Sequence, residues 1–588
     1  MPSVELEVPV LIVGAGPSGL TASLALSRQG VHHVVVGKHP ATAHTPRAHL
    51  LNQRTVEILR DLGIEYRVLA RAMPTEFLAN HVFMTTFSGA EIARLSAYGN
   101  GPDRVGDYRA ASPCQMCNCP QHVLEPLLVD AIGSAGVADV RFGQEFLRLA
   151  QDESGVTAWV MDRQSGQEYS VRSDYVIGAD GAGSRVLAEA GLTVEGMTGI
   201  AEVASIWFEA DLERYSAYRP GILYTSLLPS RMSPIGDVFV CVRPWHEWVF
   251  IYGLDPSAPF PEDDHDKLRE LIRESIGDRA ARIDIKDVST WSVNSAVAPR
   301  FSSGRVFCVG DAVHQNPPTN GLGLNTGVAD AFNLAWKIKF VLDGSATPVL
   351  LDSYDAERQP VGGQVVERAF QSMLDLAAVP GALGFGGEQT AQDRWQLLWS
   401  LDDDTEDARK RRDVLTDARD RINYQANAHG IELGYRYRSG ARIADGTTEP
   451  AHSKDPQLYY EATTWPGARL PHAWLEQGRR RLSTLDITGR GRFVLLTGQG
   501  GDEWYEAARA ATRRTGTEIT VRSIGTRGGL RDPYGEWERL REVESSGCVL
   551  VRPDHHVAWR AATSAGTAEL PRVVAELLGM PAEFEPEG

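Results

Sequence analysis

The chain has 588 residues, 43% of them apolar and 23% charged, which is the composition of a folded globular protein with room for two or three domains. A formal charge of -18 and a pI near 5.4 argue against a nucleic-acid partner, and no run approaches the roughly 18 apolar residues of a membrane span. Six cysteines fit a reducing, cytoplasmic setting without a disulfide framework, and an apolar strand so early leaves no room for a signal peptide ahead of the fold.

Residues 9–13 predict a short strand that runs into the turn Gly14, Ala15, Gly16, Pro17, Ser18, Gly19, then a helix over 20–28 and a second strand at 34–36. In such a unit Gly14 allows the tight turn, Gly16 lets the backbone approach a pyrophosphate and Gly19 lets helix pack on sheet; the phosphates rest on the helix N-terminus. The second strand ends in Gly37 and Lys38 where an acidic residue commonly holds the adenosine ribose. At this point two readings stay open: an NADP-dependent dehydrogenase with Lys38 on a 2'-phosphate, or a flavoprotein whose ribose is held by Lys38 or backbone.

Residues 174–185 form a strand that delivers Asp180 and Gly181, and 304–312 repeat the design with Gly310 and Asp311. Two carboxylates thus reach one end of a sheet. Asp311 is suited to a ribityl hydroxyl, and 321–325 followed by a helix over 326–342 aims backbone N–H groups at an electron-rich flavin edge, with Pro317 and Pro318 stiffening the approach. This second segment decides for flavin over the dehydrogenase; a non-catalytic flavin-binding protein is the other alternative.

Two insertions, 79–108 and 201–293, interrupt the cofactor motifs. The second has strand-like runs at 205–209, 238–243 and 248–252, and its aromatics Tyr224, Phe239, Phe250 and Trp291 are candidates for pocket walls or for sheet core; the pair Trp245 and Trp248 reads as core. Cys114, Cys117, Cys119 and His122 have a spacing that zinc sites use, yet they read as buried thiols near a helix start, so no metal is expected. His314 reads as a histidine bonded to backbone. A helical stretch with a charge-dense part at 401–421 leads to a last unit: a strand at 492–497, a helix at 504–514, a strand at 518–524, paired strands within 549–559 and a helix at 570–578. Cys548 is its only cysteine, so it has no dithiol for disulfide exchange.

GAGPSG, the run Thr45-Pro46-Arg47-Ala48-His49 through Leu59, Pro120-Gln121-His122, the Asp180-Gly181 strand, the block 310–325 and 330–337 stand in order over the first 370 residues or so. In these motifs the chain resembles the class A flavoprotein aromatic monooxygenases, the p-hydroxybenzoate and phenol hydroxylase family, above all its chlorophenol 6-monooxygenase branch and the polyketide-tailoring hydroxylases. The resemblance implies an α/β fold: a Rossmann-type FAD-binding domain (1–78, 109–200, 294–375), an inserted β-sheet substrate domain (79–108, 201–293), a helical linker (376–425) and a thioredoxin-like C-terminal domain (426–588). It implies FAD, a transient NAD(P)H and O2, and insertion of one oxygen atom into a phenol-like or hydroxylated heteroaromatic ring through a flavin C4a-hydroperoxide, either in tailoring a bacterial natural product or in chlorophenol catabolism. It further implies a homodimer or higher oligomer with no partner beyond its small aromatic substrate.

Carried over residue by residue, the cofactor contacts are Gly14, Gly16, Pro17, Ser18, Gly19, Lys38, Arg47, Gln121, Asp180, Gly181, Asp311, Pro318, Gly321, Gly323, Leu324 and Asn325. Pro318 would face the reactive carbon. His49 falls where the phenol hydroxylases place a carboxylate near the phenol, so it is the candidate base toward a substrate hydroxyl. Tyr224, Phe239 and Asn294 complete the substrate candidates. The tryptophan-spaced signature of flavin halogenases is absent.

Overall fold

The computed structural model describes residues 6–231, 237–386, 388–525 and 529–581; the expected middle and C-terminal domain ranges also include 232–236, 526–528 and 582–588, which lie outside the described residues. Three large sheets organise the described chain. In the first, β1 (Leu6–Val13) lies between β2 (His33–Gly37) and β6 (Glu168–Gly178), with β5 (Ala138–Phe142) beyond β2 and β12 (Val306–Cys308) beyond β6, all parallel. Val10 to Val13 and Val34 to Val36 are buried without alternation, as expected for strands covered on both faces. Helix α1 (Pro17–Arg28) packs against α3 (Gln121–Ala135) and α5 (Gly323–Leu342). Because the strands are parallel, β1, β2, β6 and β12 all present their carboxyl ends at one edge.

The middle sheet is antiparallel over most of its width. Its order is β13 (His314–Gln315), β11 (Asp284–Val297), β7 (Glu195–Glu209), β10 (Glu247–Gly253), β9 (Asp237–Arg243), β8 (Leu223–Ser226), β3 (Asn80–Met84) and β4 (Glu91–Ser96). Both insertions therefore build one sheet. Strand β13 follows directly on the Gly310 loop, so the sheet's edge is covalently tied to the cofactor motif.

In the C-terminal unit β14 (Phe493–Thr497) pairs with β15 (Ile519–Gly525) in parallel and with β16 (Cys548–Val551) antiparallel, and β17 (Val557–Ala561) extends that edge. Helices α8 (Glu503–Thr515) and α9 (Leu570–Leu577) pack together on it. The segment expected to open this unit does not belong to its sheet, whose first strand starts at Trp474. Instead Ala428, Ile431 and Tyr437 pack against Leu322 and against Val361 and Val365 of α6 (Val349–Leu376), just after α7 (Glu406–Ala426) ends. Among the described residues no helix is long and apolar enough to cross a membrane.

A buried ion network locks the C-terminal unit to the helices behind the parallel sheet. Glu357 of α6 receives Arg552 Nη1 at 2.5 Å and Nη2 at 2.8 Å, Lys337 Nζ of α5 at 2.7 Å and Asn333 Nδ2 at 2.8 Å. Arg552 also donates to Asp554 at 2.6 Å, and Arg54 of α2 (Gln53–Asp61) donates to the Asp554 carbonyl at 2.7 Å. Glu57 of α2 pairs with Arg469. Burial would raise the Glu357 carboxyl, but Arg552 and Lys337 outweigh it and hold it far below its ordinary range. Removing one member of such a network leaves the others charged and unpaired.

Two outcomes follow from this packing. Arg552→Met should cost about 3–5 kcal/mol in urea unfolding, the scale for breaking a buried ion pair; a loss below about 1 kcal/mol would mean that the network contributes little. His81, His429, His472 and His556 are buried, and burial lowers them to about 3, 3, 4 and 4. The unfolded chain binds these protons near pH 6.5 and the folded one does not, so stability is complete above that pH and falls toward pH 4, by up to about 1.4 kcal/mol per pH unit per histidine. Denaturation midpoints at pH 7 and pH 5 should differ in that direction.

Candidate active site

The turn after β1 closes on the strand beside it. Gly14 has φ +112°, and a Cβ there would collide with the Ala179 carbonyl at the end of β6. A Cβ at Gly310 would lie 2.6 Å from Ser18 Oγ, so the second glycine motif meets the first. Helix α1 starts at Gly16 without a side-chain cap, and α5 starts at Leu322 also without one. Two helix N-termini thus keep their amides free at the edge where the parallel strands end, an arrangement that receives anionic or electron-rich groups.

One carboxylate holds the second motif in place. Asp330 of α5, fully buried, accepts from Gly310 N at 3.1 Å, lies 2.8 Å from His314 Nε2 and accepts from Arg358 Nε at 2.7 Å. Burial opposes its ionisation, but Arg358 and His314 prevail and lower its affinity for a proton. His314 is therefore bound to a carboxylate and not to backbone through this nitrogen. Asp311, which follows Gly310, is exposed, and desolvation by the surrounding chain raises its carboxyl above the usual range. Pro318 is likewise exposed inside the crevice, and Gly321, Gly323 and Leu324 are half-buried beside it.

The segment 47–52 lies against this loop. Asn325 accepts from Asn52 N at 3.0 Å and donates to Leu50 O at 2.9 Å, so its side chain ties the helix start to the 50–52 segment. Gln121 N donates to the carbonyl of Ala48 at 3.1 Å, and its side chain donates to Glu125 at 2.6 Å, which leaves Oε1 uncommitted. Arg47 and Lys38 are exposed at the mouth. Asp180 is engaged within the chain: one oxygen accepts from Ser184 at 2.5 Å and the other from Arg185 N at 2.8 Å, at the start of the short helix Arg185–Glu189, while Gly181 at φ +83° carries the turn.

His49 stands at the seam with the middle sheet. Its Nδ1 is 3.1 Å from Asn118 Oδ1, and Asn118 Nδ2 donates to the carbonyls of Cys241 at 3.1 Å and Val242 at 3.4 Å. With the amide fixed by those two bonds, Oδ1 can only accept, so the His49 proton sits on Nδ1 and Nε2 carries a lone pair. Burial lowers His49 to about 4, only partly offset by the Asn118 bond. The imidazole is therefore neutral at pH 7, with Nε2 left to accept a hydrogen bond.

Tyr224 and Phe239 require a correction. Direct cross-strand pairing puts Ile206, Phe250, Phe239, Tyr224 and Val82 in one row on one face. Tyr224 and Phe239 are fully buried there under Phe87, and Tyr224 Oη donates to the Arg219 carbonyl at 2.9 Å. They share a core with Leu268 and Ile272 of α4 (His265–Ile276). The adjacent row, Trp207, Val249, Val240, Leu223 and His81, points to the other face, and the Trp207 ring lies 5.9 Å from His122 of α3. That face meets the cofactor side, and Trp207, Leu223, Ile251 and Trp291 on it are only half-buried. Asn294 spends its amide on Gly199 N at 2.9 Å and Gln315 Oε1 at 2.9 Å, at the join of β11 with β13.

Cys114 donates to Glu65, and the described residues whose potential ligand atoms lie within 4.8 Å of one another are the exposed Asp211, Glu213 and His246, not the cysteine group. Asn118, Asp330 and Arg358 are the contributors that sequence reasoning did not single out; Asp330 lay in a quoted motif without a role, and Asn118 carried no signal.

The residues fit FAD on the structure's own terms. Two helix starts without side-chain caps follow the two glycine motifs, a Cβ at Gly16 or Gly181 would meet no protein atom within 4 Å, and Asp311 offers an exposed carboxylate. Asp311→Ala should abolish FAD retention. Asp330→Asn, which touches no ligand, should weaken the FAD Kd at least about tenfold, since a shift of about 1.4 kcal/mol is one decade; a Kd within twofold of wild type in a fluorescence titration would sever the link between this carboxylate and the cradle.

Family comparisons agree with the crevice. Residues 7–369 match the FAD binding domain family, and 463–581 match the aromatic-ring hydroxylase C-terminal family. The chain is 43% identical to 2,4-dichlorophenol 6-monooxygenase of Delftia acidovorans, over 95% of each chain, and 31% identical to tetracenomycin A2 monooxygenase-dioxygenase of Streptomyces glaucescens, over 99% of each. It is similar to the crystal structure of the flavin-dependent monooxygenase PieE in complex with FAD and substrate, with a TM-score of 0.97, 62% identity, and coverage of 98% of this chain and 100% of that one. The chain belongs to the FAD-dependent aromatic-ring monooxygenases, and FAD is its cofactor.

Proposed function

We propose that this enzyme consumes NAD(P)H and O2 to insert one oxygen atom into a phenol-like or hydroxylated heteroaromatic ring. The observation that carries the reading is His49: a neutral imidazole whose tautomer is set by Asn118 and whose Nε2 lone pair sits at the seam between cofactor cradle and middle sheet. Bound FAD, once reduced, supplies the activated oxygen. The chain's part is to place the ring. His49 Nε2 accepts the ring hydroxyl's hydrogen bond, which draws electron density toward the adjacent carbon; with its pKa lowered to about 4 it does not retain the proton, which goes from the hydroxyl to solvent water. Half-buried Trp207, Leu223, Ile251 and Trp291 offer the apolar wall that keeps water away.

The domain division 1–78, 109–200 and 294–375 for cofactor, 79–108 and 201–293 for substrate, and 376–425 as linker is supported by the two sheets and the helices between them. For the C-terminal unit a thioredoxin-like arrangement is supported by its strand order and by α8 and α9, with Ala428, Ile431 and Tyr437 packed on the cofactor unit and Ala441 and Leu470 packed within the C-terminal unit. Cys548 is buried and burial raises its thiol, so this unit is structural and not redox-active.

Chlorophenol monooxygenases and polyketide hydroxylases both stand among the relatives. A panel of a chlorinated phenol, a hydroxypyridine and a polycyclic phenol, scored by stimulated NADPH oxidation and product mass, tests the assignment; reductant use without any hydroxylated product across the panel would overturn it. His49→Ala should keep FAD and lower coupled kcat/KM about 10²–10⁴-fold. The wild-type kcat/KM profile should show no His49 titration between pH 5 and pH 8, because the group loses its proton near 4; an inflection near 6.5 that disappears in His49→Ala would refute the tautomer argument.

A further inference from the structure

Beside the first turn of α5 lies a small cavity of about 20 Å³, lined by Asn52, Arg54, Asn325, Arg358, Glu432 and Tyr435 among others. Three buried side-chain atoms of its lining have no hydrogen-bond partner: Arg54 Nε, Glu432 Oε2 and Tyr435 Oη. The volume accommodates about one water, and a buried water makes about three hydrogen bonds. A donor, a hydroxyl and a carboxyl oxygen around one void supply that number.

The surrounding charges are already committed. Arg54 Nη1 is paired with Glu57 and Nη2 with the Asp554 carbonyl, and Arg358 is paired with Asp330. Arg104 gives Nη2 to the Leu458 carbonyl and stands 3.8 Å from Asp107. The other titratable neighbours are Tyr98 and Tyr108, which sense the Glu432 charge, and His429 on the same turn, bonded to Gln53. No cation pairs directly with Glu432 among the described residues. Burial raises it to about 8, and Arg104 opposes that only in part.

We propose that Glu432, Arg54 and Tyr435 hold one buried water against the Asn325 turn, and that Glu432 is a proton site linked to the redox state of FAD. This rests on the reading that Leu324 and Asn325 face the cofactor's electron-rich edge. Hydride transfer from NAD(P)H brings two electrons and one hydrogen and leaves the cofactor one charge more negative. A negative charge at the α5 turn strengthens the O–H bond that Glu432 forms with a solvent proton, and reciprocally an ionised Glu432 opposes reduction. In the ionised state each reduction is accompanied by uptake of one proton at the Glu432 carboxylate, with no other bond made or broken there.

The test has two arms. In cofactor-free protein, infrared difference spectra should contain a protonated-carboxyl band at pH 7 that titrates near 8 and is missing from Glu432→Gln; no such band would overturn the proposal. In holoenzyme, the FAD midpoint potential between about pH 7 and pH 9 should fall further in wild type than in Glu432→Gln, by about tenfold in the redox equilibrium, about 30 mV for a two-electron couple; identical pH dependence would also overturn it. Tyr435→Phe serves as second variant: it keeps the carboxyl but removes a water partner, and should shift the band's frequency. If the potential responds to substitution at Asn325 but not to Glu432→Gln, the redox link has failed with the cofactor edge in place; if it responds to neither, the placement of the cofactor edge has failed with it.

Discussion

The cofactor cradle depends on a single buried carboxylate. Asp330 gathers the end of a strand, the following loop and two helices onto its two oxygens, and each partner is a backbone amide or a side chain with no solvent to fall back on. Taking an ion out of water is costly unless its attractions and hydrogen bonds are complete, so the arrangement tolerates few alternatives. The loop that carries Asp311 and Pro318 is therefore positioned by electrostatics within the core, which leaves its outer surface free of structural duties.

Helix α5 extends this logic along its length. Asp330, Asn333 and Lys337 are polar residues on a helix that is otherwise buried among apolar side chains. Asp330 serves the strand ends, while Asn333 and Lys337 engage Glu357 and, with it, Arg552 and Asp554 of the C-terminal unit. The C-terminal unit is thereby tied by buried charges to the helix whose first turn borders the cofactor cradle.

The parallel sheet was legible because its strand ends carry glycines and aspartates at fixed offsets, and backbone close to a ligand tolerates little else. The middle sheet was legible as strands but not as faces. Residues such as Phe239 and Val240 alternate between two apolar surfaces, so polarity does not say which row meets the cofactor, and a one-residue choice exchanges core for wall. His49 was found from its motif, whereas its protonation depends on burial and on Asn118, two features that no local pattern encodes. Glu432 and the cavity it lines were invisible for the same reason: Asn52, Arg54, Asn325 and Arg358 around it come from distant parts of the chain.

Gly37, where an acidic residue was missed, sits with its Cα facing the first turn, and a Cβ there would come within 2.8 Å of the Ala15 Cβ. The two positions are thus coupled. A carboxylate at the end of β2 and a side chain at 15 exclude each other in this backbone, so an evolutionary path that restores the acid must first pass through glycine at 15 or shift the turn. Recognition at the adenosine end is in this way a property of a pair of residues, and a substitution considered at either one alone has no fixed sign.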